Sequence, residues 1–225
     1  LSKMLSAQGG GQSMRWTTAK QIATWSANEG QAEANVDPIE RIRLEELARV
    51  AQMHVEEVGG LEVSGAQGVV VTAVTPLTEE AVAVSLDPSS APEGVFQHLP
   101  GQHLTIRAMI DGEDVRRSYS ISSVPGDERL QVGVKRLPGG AFSTFAVTRL
   151  RAGDTLEVIP PVGDFTVDPN PADASHRVAI VAGSGITPVL SQVAATLQTS
   201  PSARWTVVFG NRDAGSIMFL DELEG

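Results

Sequence analysis

Four consecutive residues, Arg117-Ser118-Tyr119-Ser120, combine a cation, a phenol ring and two hydroxyls on one short stretch. A guanidinium suits a two-pronged grip on a phosphate. On an extended strand Arg117 and Tyr119 share one face, while the Ser120 hydroxyl points across the pleat. Downstream, Gly139-Gly140-Ala141-Phe142-Ser143 is a turn over which a ligand can approach bare backbone. A helix from Phe142 to Leu150 would add its free amides and the Ser143 hydroxyl as an anion site. Lys135 and Arg136 precede that turn and bring positive potential. A second glycine-rich turn, Gly183-Ser184-Gly185-Ile186-Thr187-Pro188, follows a short apolar run. Two phosphate-friendly turns and one stacking aromatic suggest two nucleotide-like ligands brought face to face. Each piece also has a plainer reading. The arginines can be solvated, Tyr119 can be core filler, and the Gly139-Gly140 turn can be a hairpin ahead of the core residues Phe142 and Phe145.

The elements that must position these residues are mostly strands. From Gly68 the apolar residues alternate, through Val69 to Val74 and then Ala81 to Leu86, with Asp87-Pro88-Ser89-Ser90 as a turn. Strands are expected over His103–Ile110, Ser118–Ser122, Leu130–Val134 and Thr155–Ile159, with Asp111-Gly112 closing a hairpin. Short strands at this spacing predict a small antiparallel barrel or sandwich. The prolines at 160, 161, 169 and 171 mark a domain boundary. Beyond it, a strand over His176–Ala182, the second glycine-rich turn, a helix that Thr187 can cap, and a strand over Trp205–Phe209 make a Rossmann-like half. Gly210-Asn211-Arg212 stands at the end of the second strand, where Arg212 could hold a cofactor phosphate. Residues 216–225 read as the first turns of another helix.

Composition narrows the partners. The 225 residues are 41% apolar and 20% charged, ordinary for a globular protein. A net charge of -10 argues against nucleic acid, which wants a basic field. With no cysteine, a thiolate metal site or a self-contained iron-sulfur cluster cannot be built from this chain. No stretch is long and apolar enough for a membrane-spanning helix, and a cytoplasmic location is expected.

Residues 1–65 carry no visible chemistry. Gly9-Gly10-Gly11 reads as a flexible lead-in, a helix is expected from Trp16 to Asn28, and a second is expected from a capping box at Asp37-Pro38-Ile39-Glu40 to Gly59-Gly60. His54 lacks a second ligand one turn away, and His98 and His103 lack a third, so no metal site is expected.

From about Ala66 onward the chain resembles the ferredoxin-NADP reductase superfamily, most closely the reductase components of phenylacetyl-CoA-type and related multicomponent oxygenases. The resemblance rests on Arg117-Ser118-Tyr119-Ser120, Val134-Lys135-Arg136, Gly140-Ala141-Phe142-Ser143, Pro161-Val162-Gly163-Asp164-Phe165, Gly183 to Pro188 and Gly210-Asn211-Arg212. It implies FAD and either NADP or NAD as cofactors. Arg117 would hold the FAD pyrophosphate, Tyr119 would stack on the isoalloxazine and Ser120 would bond near N5. Val134 and Lys135 would run along the flavin, with Gly140, Phe142 and Ser143 at a second phosphate turn. Gly183, Ser184, Gly185 and Thr187 would receive the nicotinamide, Thr187 near the hydride-transfer point, with Gly210, Asn211 and Arg212 beside them. Residues 14–62 also resemble the N-terminal helical part of an actinobacterial zincin-like hydrolase family, through Trp16, Ala19, Ala23 and the run Leu44 to Ala51. That family's motif of two histidines with a glutamate between is absent.

The expected architecture is therefore mostly β with an α/β portion. A helical segment over 1–65 leads into a flavin-binding barrel over 66–168 and an incomplete Rossmann-like nicotinamide domain over 169–225. The expected function is electron transfer from NAD(P)H through FAD to a ferredoxin-like domain or oxygenase component, with Ser120 and Thr187 at the reacting centre. The alternative is a flavin-binding or structural remnant that does not react.

Overall fold

The computed structural model describes residues 2–8, 15–18 and 65–224. Six strands build the first lobe: β3 (Gln67–Thr78), β4 (Ala81–Asp87), β5 (His103–Ile110), β6 (Glu113–Ser120), β7 (Leu130–Lys135) and β8 (Thr155–Val162). Their order is β6-β5-β8-β3-β4-β7, and every pairing is antiparallel. A lone bridge from Ile121 to Val132 joins the two ends of that order and closes the barrel. The β5–β6 hairpin turns at Asp111 and Gly112, both with positive φ (53° and 87°), which matches the right-handed twist of the paired strands. Alternate residues, among them Val69, Val71, Val82, Val84, Leu104, Ile106, Val132 and Val134, form the barrel core. The helix α1 (Ala141–Thr148) closes one end of it through Phe142 and Ala146.

The second lobe contains β9 (His176–Ala182), a tight 3-10 turn over Gly183–Gly185, α2 (Ile186–Thr199), β10 (Arg204–Gly210) and the short α3 (Leu220–Glu224). The strands β9 and β10 run parallel in register, with α2 as the crossover. Its core takes Ile186, Val189, Val193, Trp205, Val207, Phe209 and Phe219, together with Ala81 and Ala83 from the outer face of β4. That shared packing explains why every residue from Ala81 to Leu86 is buried, although a strand covered on one face alternates. Small side chains on the outer face let the second lobe approach closely.

Two further strands extend the same sheet: β1 (Ser2–Gln8) pairs antiparallel with β10, and β2 (Arg15–Thr18) with β1. The helix expected from Trp16 therefore gives way to a strand over Arg15–Thr18. The described parts of the lead-in are extended and join the sheet, whereas a helical segment was expected. The expected helix beyond Asp37, His54 and the Leu44 to Ala51 run lie outside the described residues.

Candidate functional site

The strand β6 carries the four residues at its C-terminal end, and its register against β5 decides where each points. Arg117 lies opposite Ile106 and Tyr119 opposite Leu104, both core positions, while Ser118 and Ser120 lie opposite Thr105 and His103. The Tyr119 ring is therefore on the inward face at the mouth of the barrel, half-buried, with Phe142 of α1 against it at 5.4 Å between centroids. Burial pushes the Tyr119 phenol up to about 12, against the opposing pull of the Arg117 charge, so the ring stays neutral. Arg117 is exposed, and its Nη1 donates to the Arg116 carbonyl at 2.6 Å, which holds the guanidinium along the strand. Its neighbour Arg116 pairs with Asp114 at 3.2 Å. On the opposite face the Ser118 hydroxyl is tied to that of Thr105 at 3.0 Å.

The first glycine-rich turn meets Tyr119 across the cavity. Ser143 is buried, and its hydroxyl accepts the Leu137 amide at 3.1 Å while donating to the Gly140 carbonyl at 3.3 Å. The hydroxyl expected to be an anion donor instead staples the turn. The first helical bond of α1 runs from the Thr144 amide to Gly140. The amides of Ala141, Phe142 and Ser143 thus precede any intrahelical acceptor, as the first amides of a helix do. A Cβ on Gly140 would overlap the Ser143 oxygen, so only glycine lets this turn close.

These pieces converge. One cavity of about 240 Å³ is lined by Arg117, Ser118, Tyr119, Ser120, Gly133, Lys135, Leu137, Gly140, Phe142, Ser143, Ser184 and Thr187. The second glycine-rich turn thus reaches the same space as the first. Thr187 is buried, and its hydroxyl donates to the Ser184 carbonyl at 2.9 Å. It does not cap α2: the helix starts one residue earlier, at Ile186, with Gly185 at the cap. Gly183 has a φ of 51°, and its missing Cβ would stand 3.6 Å from the Lys135 ammonium. One cation thus spans both lobes.

Five of the expected positions stand back from the cavity. Val134 is buried in the barrel core; its neighbours Gly133 and Lys135 on the opposite face line the cavity instead. Period-two alternation counted back from Lys135 would have found Gly133. Gly185 packs toward Val181. Gly210 sits beside Ala182 at the carboxyl ends of the parallel strands, with Asn211 and Arg212 just beyond. Arg212 and Lys135 both act on Glu80, whose carboxylate the Arg136 guanidinium holds below its usual range through a hydrogen bond of 3.0 Å from Nε. Among the described residues no group of three or more His, Cys, Asp or Glu could hold a metal. No helix described is long and apolar enough to cross a membrane.

Comparison with known proteins gives this geometry its context. Residues 69–167 match the oxidoreductase FAD-binding domain and residues 179–225 the oxidoreductase NAD-binding domain. Residues 69–225 belong to the ferredoxin-NADP reductase family. The reductase-type chain is 43% identical over 148 residues, 65% of its length and 41% of the relative's, to one component of the 1,2-phenylacetyl-CoA epoxidase of Escherichia coli. It is 35% identical over 153 residues to ferredoxin--NADP reductase B of Sorangium cellulosum, covering 68% of this chain and 61% of that one. Phthalate dioxygenase reductase has the same fold, with a TM-score of 0.59 and 26% identity over 72% of this chain and 48% of that structure. The reductase-type chain thus spans less than two thirds of each of these relatives.

The residues present fit a flavin on the geometry of the site itself. The cavity offers an aromatic face at Tyr119, two cations at Arg117 and Lys135, a turn that only glycine permits, and the leading amides of α1.

Proposed function

We propose that this chain carries electrons from a nicotinamide dinucleotide, through FAD held in the cavity, to the redox partner of an oxygenase system. The observation that carries the reading is the convergence of Arg117, Tyr119, Lys135 and both glycine-rich turns on one cavity. FAD, when bound, supplies the step from a two-electron hydride donor to one-electron acceptors. The chain's own residues hold and orient. Arg117 and the amides at the start of α1 neutralise the diphosphate, and Tyr119, backed by Phe142, covers the ring. Ser120 stands at the reacting edge. Ser184 and Thr187 form the opposite wall, against which the nicotinamide would lie. The Thr187 hydroxyl donates to the Ser184 carbonyl and so keeps that wall in shape; it is neither a general acid nor a general base. The position of Arg212 and Lys135 at the carboxyl ends of β9 and β10 suits the phosphates of the dinucleotide.

One observation favours a second reading, a flavin-binding protein that no nicotinamide reduces. The strand β9 ends its sheet, with Val178 63% and Ile180 81% exposed, whereas open parallel sheets are covered on both faces. Anaerobic titration separates the two. Bleaching of the FAD-loaded protein by NADPH or NADH supports the reductase. FAD that dithionite reduces but neither nicotinamide does supports the second reading. Protein that takes up no FAD removes both.

A further inference from the structure

Gly133 occupies the middle of a strand, where glycine is unfavourable. Its neighbours Val132 and Val134 point into the barrel core and are fully buried. Its own bare face meets the second lobe. A Cβ there would lie 2.9 Å from Cε2 and Cζ of Phe219 and 2.9 Å from the Thr187 hydroxyl. One missing methyl group therefore admits two residues of the other lobe at once. Phe219 is itself unusual: it is fully buried and has a φ of 57°, a left-handed conformation that bulky side chains avoid. Among the described residues the only other non-glycine with positive φ is Asp111, which its hairpin turn explains. Phe219 stands at the start of α3, where its carbonyl accepts the Leu223 amide at 3.0 Å.

Two more contacts fix α2 on the barrel. Ser191 donates to the Ser123 carbonyl at 2.6 Å, and Gln192 donates to the Phe165 carbonyl at 2.8 Å. Both donors are buried. The helix is thus supported at its start by the Gly133 face and along its length by two hydrogen bonds to barrel backbone. Of these supports, only the first touches a residue that lines the cavity.

We propose that Phe219 is a positioning residue: seated on Gly133, it sets how closely the Ser184–Thr187 wall stands to the Tyr119 cavity, and through that distance the rate at which a nicotinamide reduces the bound flavin. The inference rests on the flavin reading above. The contact touches neither Arg117 nor the Gly140 turn, so it governs the approach of the second ligand and leaves the grip on the first.

The test compares the parent with Gly133→Ala, Gly133→Val, Phe219→Leu and the double variant Gly133→Ala with Phe219→Leu. FAD affinity, read by flavin fluorescence, is expected to stay within about threefold of the parent in all of them. The rate of flavin reduction at saturating NADPH or NADH is expected to fall at least about tenfold in Gly133→Val, with the half-saturating concentration moved far less. The double variant, which removes the ring atoms that the new methyl meets, is expected to recover most of what Gly133→Ala loses. Hydrogen exchange of the amides over 184–187 supplies a readout independent of turnover: faster in Gly133→Val, restored in the double variant. Unchanged exchange and unchanged reduction in a folded Gly133→Val protein overturn the proposal, as does a loss explained wholly by weaker FAD binding. A parent that binds no FAD refutes the flavin reading, whereas the exchange measurement still decides whether this contact holds the wall. Should Gly133→Val not fold, Gly133→Ala and its double variant carry the same comparison.

Discussion

The Tyr119 and Phe142 rings meet at 5.4 Å between centroids with 38° between their planes, so the platform of the cavity is a pair of rings from two different elements. The strand β6 supplies one and α1 the other. Phe142 is buried and cannot move aside, which fixes Tyr119 from behind. Phe142→Ala is therefore expected to weaken FAD binding by about tenfold, as well as to destabilise the barrel by roughly 3–5 kcal/mol. Fluorescence titration and denaturant unfolding read the two effects separately.

The phenol of Tyr119 gives a pH prediction with a clean probe, because this is the chain's one tyrosine. In the unfolded chain it titrates near its ordinary value of 10.0, and in the folded chain near about 12. Below pH 10 both states keep the proton and the contribution to stability is whole. As pH rises from 10 towards 12 the unfolded state loses its proton first, and stability falls. Ultraviolet absorbance of the phenolate should show a midpoint near 12 in the native protein. A midpoint near 10 would mean that the ring is not buried.

At the acid end the corresponding group is Asp173. A hydrogen bond from the Ser175 amide and the pairing with Arg177 hold its carboxylate down at about 2, from 3.8. The stability this contributes is present above pH 3.8 and is lost as pH falls towards 2. Asp173→Asn should flatten that part of the stability curve, measured by thermal unfolding at successive pH values.

Two glycines with similar backbone angles make a paired test of packing. Gly101 (φ 101°) would overlap the Phe165 carbonyl with any Cβ, whereas Gly126 (φ 88°) faces open space. Gly126→Ala should cost about 1–2 kcal/mol of backbone strain alone. Gly101→Ala should cost roughly 4 kcal/mol or more, since it also displaces the carbonyl that Gln192 donates to. Equal costs in denaturant unfolding would show that the contact between barrel and α2 is slack.

Much of this was legible in the residues. Period-two alternation located the barrel strands, and β5 and β9 fall on the expected bounds of His103–Ile110 and His176–Ala182. The shared face of Arg117 and Tyr119 followed from the pleat alone. What stayed hidden depends on contacts distant in sequence. Gly133 looks like a weak point in a strand until Phe219 and Thr187 are placed on it. Ser143 has the composition of an anion site, but its hydroxyl is already committed to Leu137 and Gly140. The strand at Trp16 was invisible because its partner is another short strand, which is bound in turn to β10, about two hundred residues away. Val134 shows a limit of motif transfer: a motif names a stretch, whereas the pleat decides which of its residues face the ligand.

The central claim is that a guanidinium and the turn at Gly140 hold a flavin's diphosphate while Tyr119 covers its ring. Titration of the purified protein and of Arg117→Ala with FAD, followed by flavin fluorescence, tests it most directly. The account predicts one FAD bound per parent chain and at least about tenfold weaker binding in the variant, whose flavin, once loaded at high FAD, is still reduced at a rate close to the parent's. Equal affinity in the two proteins, or no uptake by the parent, would contradict it.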